Sequence, residues 1–190
     1  PRHAPENTAL VAEKNGDGYK LTGTKTFVQE GMSATTFVVV ARTSGALGDI
    51  NGLTLFLVDA DASGLTRNQV KTVDSRGYAN LDLDGVEVSV DAILGTLDDG
   101  FPVLEAVLDR ARAASGAEML GTAAQAFDMT LEYLKTREQF GQVIGSFQAL
   151  GHRAAGLFGQ MELARSCAEA ALQAIDDNDN TQQMASLSKC

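Results

Sequence analysis

Apolar and polar positions along this chain follow two different periods. From residue 8 to about 94, short β-rich runs alternate with turn residues. Ala9-Leu10-Val11-Ala12 and Tyr19-Lys20-Leu21-Thr22 flank Asn15-Gly16-Asp17-Gly18, a composition that predicts a hairpin. Further runs at 25–29, 37–41, 53–59, 65–70, 81–83 and 86–90 predict strands separated by Gly/Ser/Asp loops. No helix-length segment interrupts them. This argues against a parallel α/β sheet and for an antiparallel barrel or sandwich.

After Gly95 the period changes. Leu104, Val107, Leu108, Ala111, Ala114, Leu120, Ala124, Phe127, Leu131 and Leu134 recur at steps of three and four, which predicts one amphipathic helix over 103–136. Ala111, Ala114, Ala117 and Gly121 make its apolar face small enough for close helix neighbours, as in a bundle. A second helix is expected from Ser146 as N-cap, with Phe147, Leu150, Ala154, Leu157, Met161, Ala164, Ala168, Leu172 and Ile175 on one face and the Asp/Asn run 176–180 ending it. Thr181 is expected to cap a third helix presenting Met184 and Leu187. Barely two turns of it remain, and a helix that short is marginal alone. The expected class is therefore α+β: an antiparallel β-barrel-like domain over 1–97, then an incomplete up-down helical bundle over 98–190. On this reading the chain is a fragment.

Composition narrows the function. With 190 residues and 44% hydrophobic content, the chain can bury one large or two small cores. A net charge of −10 and a pI near 4.6 argue against a general nucleic-acid binder, because such affinity rests on clustered Lys and Arg. No apolar run approaches the roughly 20 residues of a membrane span, and the first eight residues carry no signal pattern, so no membrane insertion and a cytoplasmic location are expected. Cys167 and Cys190 belong to no CxxC or Cys/His cluster and read as free thiols. His3 and His152 lack the setting of a catalytic triad, His152 reads as solvated, and no GxGxxG or Walker loop is present.

Residues 136–150, Thr-Arg-Glu-Gln-Phe-Gly-Gln-Val-Ile-Gly-Ser-Phe-Gln-Ala-Leu, resemble the R-x-x-F-G-x-x-I-x-x-F-Q signature of acyl-CoA dehydrogenases. The likeness extends over essentially the whole chain. Residues 15–25 resemble the family's N-G-D-G-Y-x-L-x-G-x-K hairpin, followed by Ala41-Arg42, Phe56-Leu57-Val58, Gly85-Val86-Glu87-Val88 and the Gly100-Phe101 that opens the long helix.

The resemblance implies FAD as cofactor. In relatives the loop matching 136–148 reaches the flavin of the neighbouring subunit, which implies FAD contacts by Arg137, Phe140 and Gln148 across a dimer interface. A guanidinium fork suits a pyrophosphate. The same Arg137 could instead support a helix C-terminus beside Lys135. Phe27-Val28-Gln29 stands where the family has W-[IV]-T, the strand covering one flavin face. Here Phe27 keeps an aromatic surface and Gln29 an amide; the alternative is an ordinary half-buried strand with Phe27 in the core. Asp109 and Arg112 match the family's D-x-x-R beside the acyl-CoA channel, although the spacing equally suits a plain intrahelical ion pair.

A minority of the family places its catalytic Glu at the position of Ala111, which cannot abstract a proton. The commoner base lies on a later loop, so no catalytic residue is assigned here and residues 1–190 alone are expected to be inactive. The activity implied is removal of hydrogens from Cα and Cβ of an acyl-CoA thioester, with an electron-transfer flavoprotein as acceptor and a homodimer or homotetramer as assembly. The alternatives are a non-catalytic flavin-binding partner subunit of the kind found in sterol breakdown, a related flavin monooxygenase, or a non-enzymatic helical interaction module.

Overall fold

In the computed structural model, which describes residues 4–189, the chain divides after Glu105 into two units. The first holds seven strands: β1 (Val11–Asn15), β2 (Gly18–Val28), β3 (Thr36–Arg42), β4 (Leu53–Asp59), β5 (Leu65–Gln69), β6 (Ala79–Ser89) and β7 (Ile93–Leu94). Their order is β5-β6-β2-β1-β3-β4-β7. All neighbours run antiparallel except β1 and β3, which meet through one parallel bridge, Val11 to Arg42. The expected hairpin is present, with Val11 opposite Thr22 and Asn15 opposite Gly18.

Two pairs of expected strands fuse. Runs 19–22 and 25–28 lie within β2, with Gln29 just beyond it, and runs 81–83 and 86–90 lie largely within β6. Gly23 pairs in register with Leu83, whereas Gly85 is an irregularity within a continuing ladder. Gly85, at φ +66°, is skipped where Leu21 pairs with Val86 and Thr22 with Asp84, so it forms a bulge and pairing resumes beyond it.

The sheet curls around one core. Two strands separate β2 from β4, a spacing of about 14 Å in a flat sheet. Yet the rings of Tyr19 on β2 and Phe56 on β4 lie 5.4 Å apart. Leu65 from one end of the sheet and Ile93 from the other pack on the same buried cluster, which includes Leu21, Phe56, Val58, Leu81 and Val86. The curl does not close into a barrel among the described residues, because β5 and β7 remain the two edges.

The helical unit is carried by α1 (Phe101–Thr136), α2 (Gln148–Asp177) and α3 (Thr181–Ser188). A small ribbon, β8 (Glu138–Gln139) with β9 (Gln142–Val143), joins α1 to α2. Leu120, Ala124, Phe127, Leu131 and Leu134 are half-buried as expected, but Val107, Ala111 and Ala114 are exposed. The buried stripe in the first half of α1 runs instead through Asp109, Ala113 and Gly116. Contact with α3 explains the difference. Ala113, Ala171 and Ala185 form one buried cluster, and a Cβ on Gly116 would lie 2.8 Å from the carbonyl oxygen of Ser188. Closest approach, rather than apolarity, sets the stripe there.

Both expected caps differ. Phe147, not Ser146, is the N-cap of α2, because the Ser146 hydroxyl donates to the Val143 carbonyl in the preceding 3-10 turn. Asn180 precedes α3, and the Thr181 hydroxyl donates back to Ala174. The Asp/Asn run does end α2: Asn178 and Asn180 both adopt left-handed backbone, which short polar side chains tolerate.

Candidate functional site

In the β unit, the site begins with a change of parity. Along β2, Tyr19 and Leu21 are buried and Gly23 and Lys25 half-buried, while Lys20, Thr22, Thr24 and Thr26 face solvent. Continued alternation would put Phe27 inside. Instead the register slips between Lys25 and Val28, and Phe27 takes φ +56°. The bulge turns Phe27 outward, leaving it 58% exposed, and sends Val28 into the core. The half-buried-strand reading of Phe27 is thereby corrected. Val28 packs its side chain against the core cluster.

Two residues of the β6 segment hold Phe27. Its ring stacks on Tyr78 with centroids 4.5 Å apart and planes at 25°. Its N–H, freed from the ladder by the bulge, donates to Asn80 Oδ1 at 2.9 Å. Gln29 is exposed and lies in the turn after β2, not on the strand as expected. That turn is pinned: Met32 N–H donates to Gly77 at 3.1 Å, and Arg67 Nη1 donates to the carbonyls of Met32 and Ala34 at 3.3 and 3.4 Å. Lys25, on the inward parity, is desolvated, and burial pushes its ammonium down to about 8.

On α1, Arg112 Nη1 donates to Asp109 Oδ1 at 2.5 Å. The pair is not a solvated surface bridge, since the side chains are 9% and 18% exposed for Asp109 and Arg112. The intrahelical ion pair is formed, and the two residues share one helix face.

The ribbon between α1 and α2 holds the third group. Phe140 at φ +56° and Gly141 at φ +79° are the two central residues of its turn, the backbone of a type I′ hairpin. Asn or Asp ordinarily takes the first place. A Phe there costs about 1–2 kcal/mol of backbone strain, and its ring is 92% exposed. Arg137 opens the ribbon; its backbone accepts from Ile144 N–H at 2.8 Å. Its side chain is exposed and pairs with no carboxylate among the described residues. Gln148 is the exposed first residue of α2, at the positive end of that helix. Arg137, Phe140 and Gln148 are thus gathered on one connection, whereas Phe27 and Gln29 belong to the β unit.

Sequence reading missed Tyr78, Asn80 and Lys25. Lys25 was recoverable from its parity with Tyr19 and Leu21. Tyr78 and Asn80 were not, because their role depends on a bulge that alternation alone does not announce.

Ala111 is exposed, as is His152. Cys167 is a free thiol, while Cys190 and His3 lie outside the described residues. Among the described residues no helix is long and apolar enough to cross a membrane, and no group of His, Cys, Asp and Glu could hold a metal ion.

Comparison with known proteins agrees with this architecture. The chain is 34% identical over 182 residues to cyclohexane-1-carbonyl-CoA dehydrogenase of Geobacter metallireducens, covering 94% of this chain and 47% of that protein. It is also 34% identical over 157 residues to the mitochondrial short/branched chain specific acyl-CoA dehydrogenase of Bos taurus, covering 81% and 36%. The solved structure of butyryl-CoA dehydrogenase from Megasphaera elsdenii superposes with a TM-score of 0.88 at 27% identity, over 96% of this chain and 49% of that one. The chain spans less than half the length of these proteins. The acyl-CoA dehydrogenase middle-domain model matches residues 3–87 and the C-terminal-domain model residues 98–190, and the chain belongs to the acyl-CoA dehydrogenase family.

Proposed function

We propose that this chain supplies the flavin-facing part of an FAD-dependent acyl-CoA dehydrogenase. FAD is the cofactor that the family indicates. The observation that carries the reading is the α1–α2 connection: a strained Phe140 held out of the fold and an Arg137 guanidinium on the same ribbon with no carboxylate partner among the described residues. Strain kept at an exposed aromatic residue needs a use outside folding. The residues fit the group. Arg137 offers a planar fork to a pyrophosphate, Phe140 an apolar face, Gln148 an amide, and Phe27 a fixed ring to a planar heterocycle.

Bound by these residues, FAD would supply the hydride acceptor for dehydrogenation at Cα and Cβ of a thioester. Phe27 would shield one side of the flavin from water, and Gln29 would offer its amide for a hydrogen bond to it. Arg137, Phe140 and Gln148 anchor the dinucleotide across a subunit interface, which makes the active form a homodimer or a pair of homodimers. Asp109 and Arg112 line the acyl-CoA path on α1, with Arg112 held in one orientation by its carboxylate partner. Ala111 has no proton-accepting group, so that position of α1 does not supply the base that takes the Cα proton. The acceptor is an electron-transfer flavoprotein and the location cytoplasmic.

The experiment is an anaerobic mixture of the FAD-loaded full-length protein with a panel of acyl-CoA thioesters. Bleaching of the flavin band with a subset of them supports the proposal. A full-length protein that binds FAD but is bleached by no thioester would leave flavin binding standing and remove the dehydrogenase assignment.

A further inference from the structure

Phe27 is exposed and strained, and two neighbours restrain it. A bulge at this point could be filled by glycine, which takes φ +56° without cost. The chain instead carries the large ring outward, stacks Tyr78 on it at 4.5 Å, and gives its N–H to Asn80 Oδ1 at 2.9 Å. Asn80 sits on β6 between the buried Ala79 and Leu81, so its own side chain points to the outer face where Phe27 lies. The backbone of Tyr78 is held in turn: its carbonyl accepts from Val70 N–H at 2.8 Å and its N–H donates to the Arg76 carbonyl at 3.0 Å. One face of the Phe27 ring is covered by Tyr78, and the rest of the ring accounts for its 58% exposure.

We infer that Tyr78 and Asn80 are positioning residues that hold Phe27 as a rigid wall for the isoalloxazine, so that flavin binding completes a three-ring stack begun by Tyr78. The inference rests on the flavin reading given above. Its physical content is preorganisation. A phenyl ring free to rotate must be ordered when the flavin arrives, whereas one clamped between a bulge, a hydrogen bond and a stacked phenol is ordered beforehand. Tyr78 and Asn80 act through Phe27 and need touch neither cofactor nor substrate.

The test is titration of FAD into the apo-protein, read by dissociation constant and by the shape of the bound flavin's visible band, with thermal melts of each apo-variant alongside. Tyr78→Leu is expected to raise the dissociation constant about threefold to tenfold and to move the band toward that of free FAD, as loss of an aromatic pair predicts. Tyr78→Phe, which keeps the stack, is expected to restore both. Asn80→Ala is expected to weaken binding in the same direction and Asn80→Asp, which keeps the acceptor, to restore it. Unchanged affinity and band in Tyr78→Leu would overturn the inference, as would a Tyr78→Phe variant no better than Tyr78→Leu. A loss of affinity matched by an equal loss of apo-protein stability would assign Tyr78 to the fold and overturn it too. Failure of the parent protein itself to bind FAD would sink the flavin reading and this inference with it; binding by the parent keeps the two outcomes separate.

Discussion

Phe140 and Phe147 meet edge to face across the ribbon between α1 and α2, with centroids 6.1 Å apart and planes at 79°. This contact offsets part of the strain at Phe140 but leaves most of the ring in solvent. Phe140→Asn should therefore separate folding from function. Asn is the favoured residue for the first turn position, and relief of about 1–2 kcal/mol of strain matches or exceeds a ring pair of about 0.5–1.5 kcal/mol. Thermal melts are expected to show stability equal to or above the parent, while flavin titration shows weaker binding. A variant that melts earlier and binds FAD as before would contradict the functional use of this strain.

Lys25 gives the protein a pH dependence of definite sign. Its ammonium is pushed from its ordinary value near 10.5 down to about 8 by burial. Between those values the unfolded chain binds more protons than the folded one, so stability rises with pH across about 8 to 10.5. The penalty of burying the charge is full below pH 8 and fades above it. Lys25→Met is expected to stabilise at pH 7, by up to about 3 kcal/mol at 1.36 kcal/mol per unit, and to give little gain near pH 10.5. Denaturant melts at the two pH values measure this; an equal gain at both would remove the charge from the explanation.

Two glycines on α1 should respond oppositely to the same change. A Cβ at Gly116 meets the carbonyl and side chain of Ser188, whereas one at Gly121 meets nothing within 4 Å. Gly116→Ala is expected to destabilise by about 1–3 kcal/mol through overpacking. Gly121→Ala is expected to stabilise by up to about 1 kcal/mol through helix propensity. Urea titrations that rank the two the other way would place α3 differently.

The Asp109–Arg112 pair is too deep to behave as a surface bridge. Asp109→Ala leaves a partly buried guanidinium without this carboxylate and should cost about 3 kcal/mol, and removing Arg112 as well should recover part of the loss. Thermal melts of the two single variants and the double measure the coupling. Additive losses would show that the two side chains do not depend on each other.

Strand and helix identity were legible because inside and outside alternate with clear periods along both halves of the chain. The hairpin at Asn15 to Gly18, the antiparallel β unit and the long helix all follow from that signal. What period cannot show is where backbone geometry interrupts it. Gly85 and Phe27 each shift the register of a continuing ladder, so separate runs fused, and Phe27 and Val28 exchanged faces. The buried stripe of α1 was misplaced for a related reason: close approach by α3 selects Ala113 and Gly116 over the more apolar Val107. Arg137, Phe140 and Gln148 were found through a motif, and the strain that marks Phe140 became visible only in the backbone.

Arg137 is the residue on which the assignment of the α1–α2 connection as a flavin-dinucleotide site depends most. Its guanidinium has no carboxylate partner among the described residues, so truncation removes no salt bridge seen in the fold. Titration of FAD into apo full-length parent and Arg137→Ala proteins of equal thermal stability measures the claim. Charged hydrogen bonds contribute about 1.5–3 kcal/mol, so the dissociation constant should rise at least roughly tenfold. An unchanged dissociation constant would remove Arg137 from the cofactor site and contradict the assignment.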